Sequence, residues 1–189
     1  MNADLLVYQA KSFYNAYIAL DQLSRDNSDI LLLLFAPLIV NGAFSVELTL
    51  KAILAKNQIE YGKEHNLLIL FQMLPKAFRQ ELLLHLIEKT PEYADSEKFS
   101  DELLLLSNAF VDWRYAFEGN PVPAIESRFL AAFANAAIIT MFSHYNTDLQ
   151  PVVKTESDEE IEQKFRNNRE KCMEINLKML KKKSKENLP

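Results

Sequence analysis

Two pairs of oppositely charged residues, each spaced by one helical turn, are the best candidates for chemistry in this sequence. Glu47 precedes Lys51, and Arg114 precedes Glu118; both spacings place the partners on one side of a helix. An arginine guanidinium can fork onto a phosphate through parallel hydrogen bonds. We therefore take Asn41, Glu47, Lys51 and Arg114 as candidate ligand-binding residues, and Arg114 and Glu118 as candidate catalytic residues.

The charged residues support two interpretations. Buried charges need partners, so Glu47, Lys51 and Arg114 can form a structural ion network inside a helical bundle. Alternatively, they line a polar pocket or groove for a phosphate-bearing ligand, because a protein seldom keeps several charges in an apolar core without use. Asn41 begins a polar strip beside Glu47 and Lys51, which continues through Ser45 and Thr49.

The usual enzyme motifs are missing from the sequence. It contains no glycine-rich phosphate loop, H-E-x-x-H, G-x-S-x-G or Cys-x-x-Cys motif. His65, His85 and His144 fall in different predicted elements, so we expect them to cap, pack or lie exposed, and we expect no metal site and no cofactor. The single cysteine, Cys172, has no histidine nearby and is interpreted as a structural or incidental thiol.

The composition indicates one globular core in a reducing compartment. The 189 residues are 49% hydrophobic and 25% charged, with only three glycines. A net charge of −5 repels phosphate backbones at long range, which argues against a general nucleic-acid binder and leaves room for a local basic pocket. The lone cysteine and a start without a basic segment before an apolar run predict a cytoplasmic protein without a signal peptide.

Apolar residues recur at helical spacing and no alternating strand pattern is found, so the sequence predicts an all-α fold. Pro37 is expected near the start of the second helix. This helix is apolar nearly all round, which marks a central position, and Gly42 would allow another helix to approach it closely. The predicted helices cover residues 3–24, 36–57, 67–74, 76–89, a stretch from Ser96 or Ser100 to about Phe117, and 124–147.

No membrane span is expected from the two longest apolar stretches. The run at 30–40 is interrupted by Pro37, and the stretch 129–142 contains Asn135. Both are shorter than the roughly twenty residues that cross a bilayer.

The chain is expected to divide into a bundle, 1–149, and a charged helical tail, 150–189. The tail begins acidic and ends with a lysine run, which suits a helix dipole. Its apolar residues have heptad-like spacing, so the tail can dock on its own bundle or on a partner chain. We expect the tail to be dispensable for folding.

Two segments resemble the HEPN (higher eukaryotes and prokaryotes nucleotide-binding) family. The first runs from Asn41 through Gly-Ala-Phe-Ser-Val-Glu-Leu-Thr-Leu-Lys and is followed by Gly62-Lys-Glu-His-Asn-Leu. The second, Asn108-Ala-Phe-Val-Asp-Trp-Arg-Tyr-Ala-Phe-Glu, is similar to the helix on which many members carry an arginine. The resemblance covers roughly residues 1–148. It implies an antiparallel up-and-down helical bundle, with additional short helices here, that forms a homodimer.

The resemblance also implies a ribonuclease motif that this sequence does not complete. Catalytic members carry an arginine followed four to six residues later by a histidine, and two such pairs meet at the dimer interface to cleave RNA without a metal. Residues 115–121 contain no histidine. The phosphate-binding role carries over to Arg114, but the acid/base role has no matching residue. Glu118 is a poor substitute because a carboxylate repels phosphate.

Two functions therefore stay open. The first is a non-catalytic or degenerate dimeric module that binds a nucleotide, RNA phosphate or protein partner in a toxin–antitoxin or phage-defence context, where the resemblance implies a nucleotidyltransferase-like antitoxin as partner. The second is a metal-independent ribonuclease toxin with a rearranged active site around Arg114 and Glu118.

Overall fold

The computed structural model describes residues 2–26, 31–114 and 124–145, and all regular structure in those ranges is helical. This confirms the predicted all-α fold. Only the backbone is described for residues 31, 32 and 110–114. Glu118, Cys172 and the predicted tail, 150–189, lie outside the described residues. The elements are α1 (Ala3–Asp26), α2 (Leu31–Lys56), α3 (Leu67–Met73), α4 (Lys76–Lys89), a 3₁₀ turn (Pro91–Ala94), α5 (Ser96–Arg114) and α6 (Ser127–His144).

Helices α1 and α2 pack antiparallel along most of their length. The Phe13 and Phe44 rings meet edge to face, with centroids 4.6 Å apart. Near the other end, Lys56 Nζ lies 2.5 Å from Asp4 Oδ1. These two contacts fix the register of the pair, because the first joins the middles of the two helices and the second joins the start of α1 to the end of α2.

Helix α2 also runs beside α6, in the same direction. A Cβ placed on Gly42 would lie 3.0 Å from Leu130 Cδ2 and 3.0 Å from Tyr17 Cδ2. The prediction that Gly42 allows close helix packing is therefore confirmed. Near the C-terminal ends, Asn57 Nδ2 donates to Tyr145 Oη at 2.7 Å, so α2 and α6 keep one register from Gly42 to these ends.

Pro37 lies inside α2, which corrects its predicted place near the helix start. The helix begins at Leu31, six residues earlier, and continues through the proline. A proline cannot donate to the carbonyl four residues back, but both Leu33 and Pro37 are exposed, on the side of the helix that water reaches. From Leu38 onward the helix buries apolar side chains, and this burial outweighs the lost hydrogen bond.

The continuous helix α2 is longer than the apolar run 30–40 on which the expectation of no membrane span rested. Within the described ranges, Leu33–Lys56 is long and apolar enough to span a bilayer by length and composition, with 56% of its most apolar window buried in the fold. A core helix passes the same test. Since α2 packs against α1, α5 and α6, its apolar faces are those of a central helix.

A cluster of aromatic rings joins α3, α5, α6 and the 3₁₀ turn. Phe99 lies between Phe71 and Phe133, with ring centroids 5.1 Å and 5.7 Å away. Phe133 stacks on Phe129 at 5.5 Å, and Tyr93 meets Phe129 edge to face at 4.7 Å. Such pairs contribute about 0.5–1.5 kcal/mol each beyond the area they bury, so the cluster fixes the short α3 to the longer helices.

A carboxylate joins the antiparallel helices α4 and α6. Ser143 Oγ and His144 Nε2 each donate to Glu81, both at 2.6 Å, and His85 lies 3.8 Å away. The His144 ring also packs on Phe78, with centroids 4.4 Å apart. Burial alone would raise the pKa of Glu81, but the hydrogen bonds from Ser143 and His144 and the nearby imidazole charges lower it below its ordinary value.

The lowered pKa of Glu81 predicts a contribution to stability that acid removes. The folded state favours the ionised carboxyl, so the contribution is fully present above the unfolded pKa of about 4.5 and is lost as pH falls through the lower folded-state pKa. We expect wild type to exceed Glu81→Gln in free energy of unfolding at about pH 5.5, and the difference to shrink below about pH 4. Urea denaturation at each pH measures it, with exposed Glu88→Gln as the control. A difference that grows on acidification would contradict this assignment.

Candidate functional site

The pair predicted from the sequence lies buried at the centre of the bundle. Lys51 Nζ is 2.7 Å from Glu47 Oε1, and each residue is 7% exposed. The surrounding α2 residues Leu50 and Ile53 are fully buried. The i, i+4 spacing on one face of α2 therefore gives each charge the partner that burial requires.

His65 shares the same carboxylate, although it was not among the predicted site residues. Its Nδ1 lies 2.9 Å from Glu47 Oε1, while 72% of its side chain is exposed. A carboxylate only accepts hydrogen bonds, so Nδ1 is the donor. The second ring nitrogen, Nε2, then accepts when the ring is neutral and donates when the ring is charged. The structure thus presents an exposed imidazole whose orientation is set by a buried acid.

The loop that carries His65 is fixed by hydrogen bonds to its backbone. Glu64 accepts from the amides of His65 and Asn66 at 2.9 Å and 2.7 Å. Asn66 caps α3 by accepting from two amides of its first turn. The next amide, that of Leu67, donates to Ser107 Oγ of α5 at 2.9 Å. These bonds hold His65 between α2 and α5.

Tyr61 completes the polar cluster on the loop side. Lys51 Nζ lies 5.5 Å from the centre of the Tyr61 ring, within the range of a cation–π contact. Burial, and secondly the charge of Glu47, raise the pKa of Tyr61. Beyond the ring, a cleft of about 430 Å³ is lined by residues 55 and 58–62. Gln58 and Gly62 there have φ of 60° and 58°; glycine adopts this backbone freely, while glutamine does so at a cost.

Asn41 is not brought to this cluster. Its side chain donates to the carbonyl of Pro37, one turn back, at 2.7 Å. Helix geometry puts Asn41 about 9 Å along the axis and about 120° around it from Glu47. Asn41 therefore belongs to a different surface of α2.

Arg114 is the last residue of α5, and its side chain lies outside the described part of the structure. Seven residues separate it from Ser107, which puts both positions on one stripe of the helix. Ser107 is the residue that binds the amide of Leu67, so the stripe that ends at position 114 begins beside the His65 loop. Glu118, the other catalytic candidate, lies beyond the described residues.

The cluster has a buried part, Glu47 and Lys51, and an exposed part, His65. The ammonium of Lys51 is buried and already paired, which fits the structural ion network considered above. His65 is the member that a ligand can reach. Sequence spacing did not reveal it, because His65 and Glu47 are 18 positions apart and meet only when the loop folds back. Two features of the sequence point toward His65: Asn66, a residue type that caps helices, directly follows it, and the segment Gly62-Lys-Glu-His-Asn-Leu contains it.

The buried pair predicts a non-additive effect of mutation. Glu47→Leu leaves the Lys51 charge buried without its partner and should lower the free energy of unfolding by about 3–5 kcal/mol. The double variant Glu47→Leu/Lys51→Met should recover much of that loss. The more exposed pair Asp21–Arg25, also at i, i+4 spacing, is the matched control, and Asp21→Leu should cost far less than Glu47→Leu. Denaturant unfolding measures all three. If the double variant is no more stable than Glu47→Leu, Lys51 does not depend on Glu47.

One of the comparisons with known proteins gives a match. A family model described as HEPN domain matches residues 35–128, a stretch that contains Glu47, Lys51, His65, Ser107 and Arg114. No curated protein and no solved structure matches the chain. Through residues 35–128, the chain belongs to the HEPN domain family.

Proposed function

We propose that this HEPN domain is a non-catalytic, dimeric cytoplasmic module that binds a phosphate-bearing ligand, RNA or a nucleotide, at the surface around His65 and Arg114. The observation that carries the proposal is the His65 imidazole, which is 72% exposed yet held 2.9 Å from buried Glu47. When the ring is charged, Nε2 also becomes a donor, and a preoriented donor together with Arg114 suits phosphate oxygens, which accept charge-assisted hydrogen bonds.

The absence of catalysis follows from the sequence around Arg114. No histidine occupies residues 115–121, where catalytic HEPN members would carry their acid/base. Glu118 would repel the phosphate it had to serve. In a toxin–antitoxin or phage-defence pair, such a module would act by binding, with a nucleotidyltransferase-like antitoxin as its protein partner.

One observation favours the ribonuclease as a second candidate function. The contact of His65 Nδ1 with Glu47 is the arrangement by which a carboxylate orients an imidazole for general acid/base catalysis. In this rearranged site, His65 would move the proton and Arg114 would bind the phosphate. The site would differ from the earlier hypothesis, which gave the acid/base role to Glu118.

The dimer is supported by apolar residues on the surface. Ten large apolar side chains are exposed among the described residues, and four of them lie on α1: Leu5, Tyr8, Ile18 and Leu23. Leu104 and Leu105 are partly exposed on α5, the helix that ends at Arg114. A second copy that covers such residues would remove apolar surface from water.

RNA binding and cleavage distinguish the two candidate functions. Arg114→Ala should weaken binding of a fluorescent single-stranded RNA by about 1.5–3 kcal/mol, the value of a charge-assisted hydrogen bond, and His65→Asn should also weaken it. Arg79→Ala and His85→Asn are the matched controls. Anisotropy measures binding, and gel electrophoresis with EDTA present should show no cleavage. Cleavage by wild type that is lost in both Arg114→Ala and His65→Asn would replace the binding module by the ribonuclease.

The assembly state is a separate prediction. Light scattering at micromolar concentration should give twice the chain mass of 21.8 kDa, because a closed two-fold dimer is the commonest way to cover such surfaces. Leu104→Lys/Leu105→Lys and Leu5→Lys/Leu23→Lys then show whether α5 or α1 forms the interface. A monomeric wild type across the whole concentration range would exclude the dimer.

A further inference from the structure

A second polar cleft lies where α1, the end of α4 and α6 meet. It encloses about 320 Å³, within the size range of small-molecule sites. Arg25, Lys89 and Arg128 all line it, against a single lining carboxylate, Asp21. The chain as a whole carries a net charge of −5, so the cleft concentrates positive charge on an otherwise acidic protein.

Among the three cations of the cleft, Lys89 is the one that pairs with no carboxylate of the described residues. Its Nζ lies 2.8 Å from Asn135 Oδ1, and the Asn135 amide in turn donates to Tyr14 Oη at 2.9 Å. Within the described ranges, no carboxylate lies within 4.0 Å of this ammonium, whereas Arg25 pairs with Asp21 and Arg128 with Glu92. The neutral amide orients the lysine and leaves its charge available.

Arg128 stands next to this lysine. Its Nη2 lies 3.5 Å from the carbonyl oxygen of Lys89, and Nη1 pairs with Glu92 at 3.0 Å. The side chains of Arg128 and Arg25 are 63% and 72% exposed. Ion pairs of such exposed side chains are weak, so both guanidinium groups can turn toward an incoming anion at little cost.

The inner wall of the cleft is buried and offers a neutral donor. Tyr17 is 2% exposed and Thr90 is 1% exposed. Burial, and secondly the charge of Asp21, raise the pKa of Tyr17 to about 12, so its hydroxyl stays protonated at neutral pH. Ile18 and Ala131 provide apolar lining. The cleft thus combines cations, a hydroxyl and an apolar wall.

We propose that this cleft binds a small phosphomonoester, with its phosphate on Lys89 and Arg128 and its organic body against Ile18 and Ala131. A doubly charged phosphate suits a lysine that is oriented by the neutral amide of Asn135 and two guanidinium groups that can reorient. The proposal does not rest on the function proposed for His65 and Arg114, because neither of those residues lines this cleft.

The probe is phenyl phosphate, and its binding to the full chain is measured by calorimetry and by ¹H–¹⁵N NMR. It should bind in the millimolar range or tighter, more strongly than inorganic phosphate, and phenol should not bind. Lys89→Met keeps the length and helix propensity of the side chain but removes its charge, so it should weaken binding about tenfold or more. Lys63→Met, at an exposed position outside the cleft, should bind like wild type.

A second variant tests whether removing a negative charge from the cleft tightens binding. Asp21→Asn removes the lining carboxylate and frees Arg25, so it should tighten phenyl phosphate binding severalfold. A merely destabilised protein would not bind more tightly. The site is disproved if wild type does not bind phenyl phosphate, if Lys89→Met binds it equally well, if phenol binds as tightly, or if Asp21→Asn fails to tighten binding.

Discussion

The placement of Glu47 inside an apolar helix is the constraint on which the rest of the structure depends. A carboxylate without partners in a dry core costs several kcal/mol, so α2 can occupy the centre of the bundle only if other groups reach this residue. Lys51 does so from one turn away. His65 does so from the loop, which has to fold back along α2. The position of α3, which begins two residues later, follows from that return.

The charge constraint and the packing constraint act on different parts of α2. Gly42, in the N-terminal half, removes a side chain so that Leu130 and Tyr17 can approach. Glu47 and Lys51, in the middle, take the place of apolar side chains and require polar neighbours. Close contact therefore holds α1 and α6 against α2 on the side of Gly42, while the side of Glu47 admits the His65 loop. This difference between two sides of a single helix explains why a polar site can exist beside a well-packed core.

Sequence patterns predicted the elements of this fold well, and its long-range contacts poorly. Asn66 as the cap of α3 and the Glu47–Lys51 pair depend on neighbours within one turn, which spacing reveals. The predicted place of Pro37 is wrong because the local cost of a proline can be read from the sequence, whereas the burial that the rest of α2 gains cannot. His65 and the Lys89–Asn135 contact, which joins residues 46 positions apart, depend on how helices dock. A single sequence carries no signal for that distance.

His65 and Arg114 lie on different segments of the chain, so their spacing depends on how the helices pack. In the arginine–histidine motif of catalytic HEPN members both residues come from one short segment, so their spacing survives small movements of the bundle. Here the ring is oriented by α2, carried by the 57–66 loop, and fixed to α5 through the bond between Leu67 and Ser107. A shift of α5 against α2 would therefore move position 114 relative to His65. Under the proposed function, a ligand that contacts both would favour one packing of these helices, so its binding would be linked to the stability of the bundle.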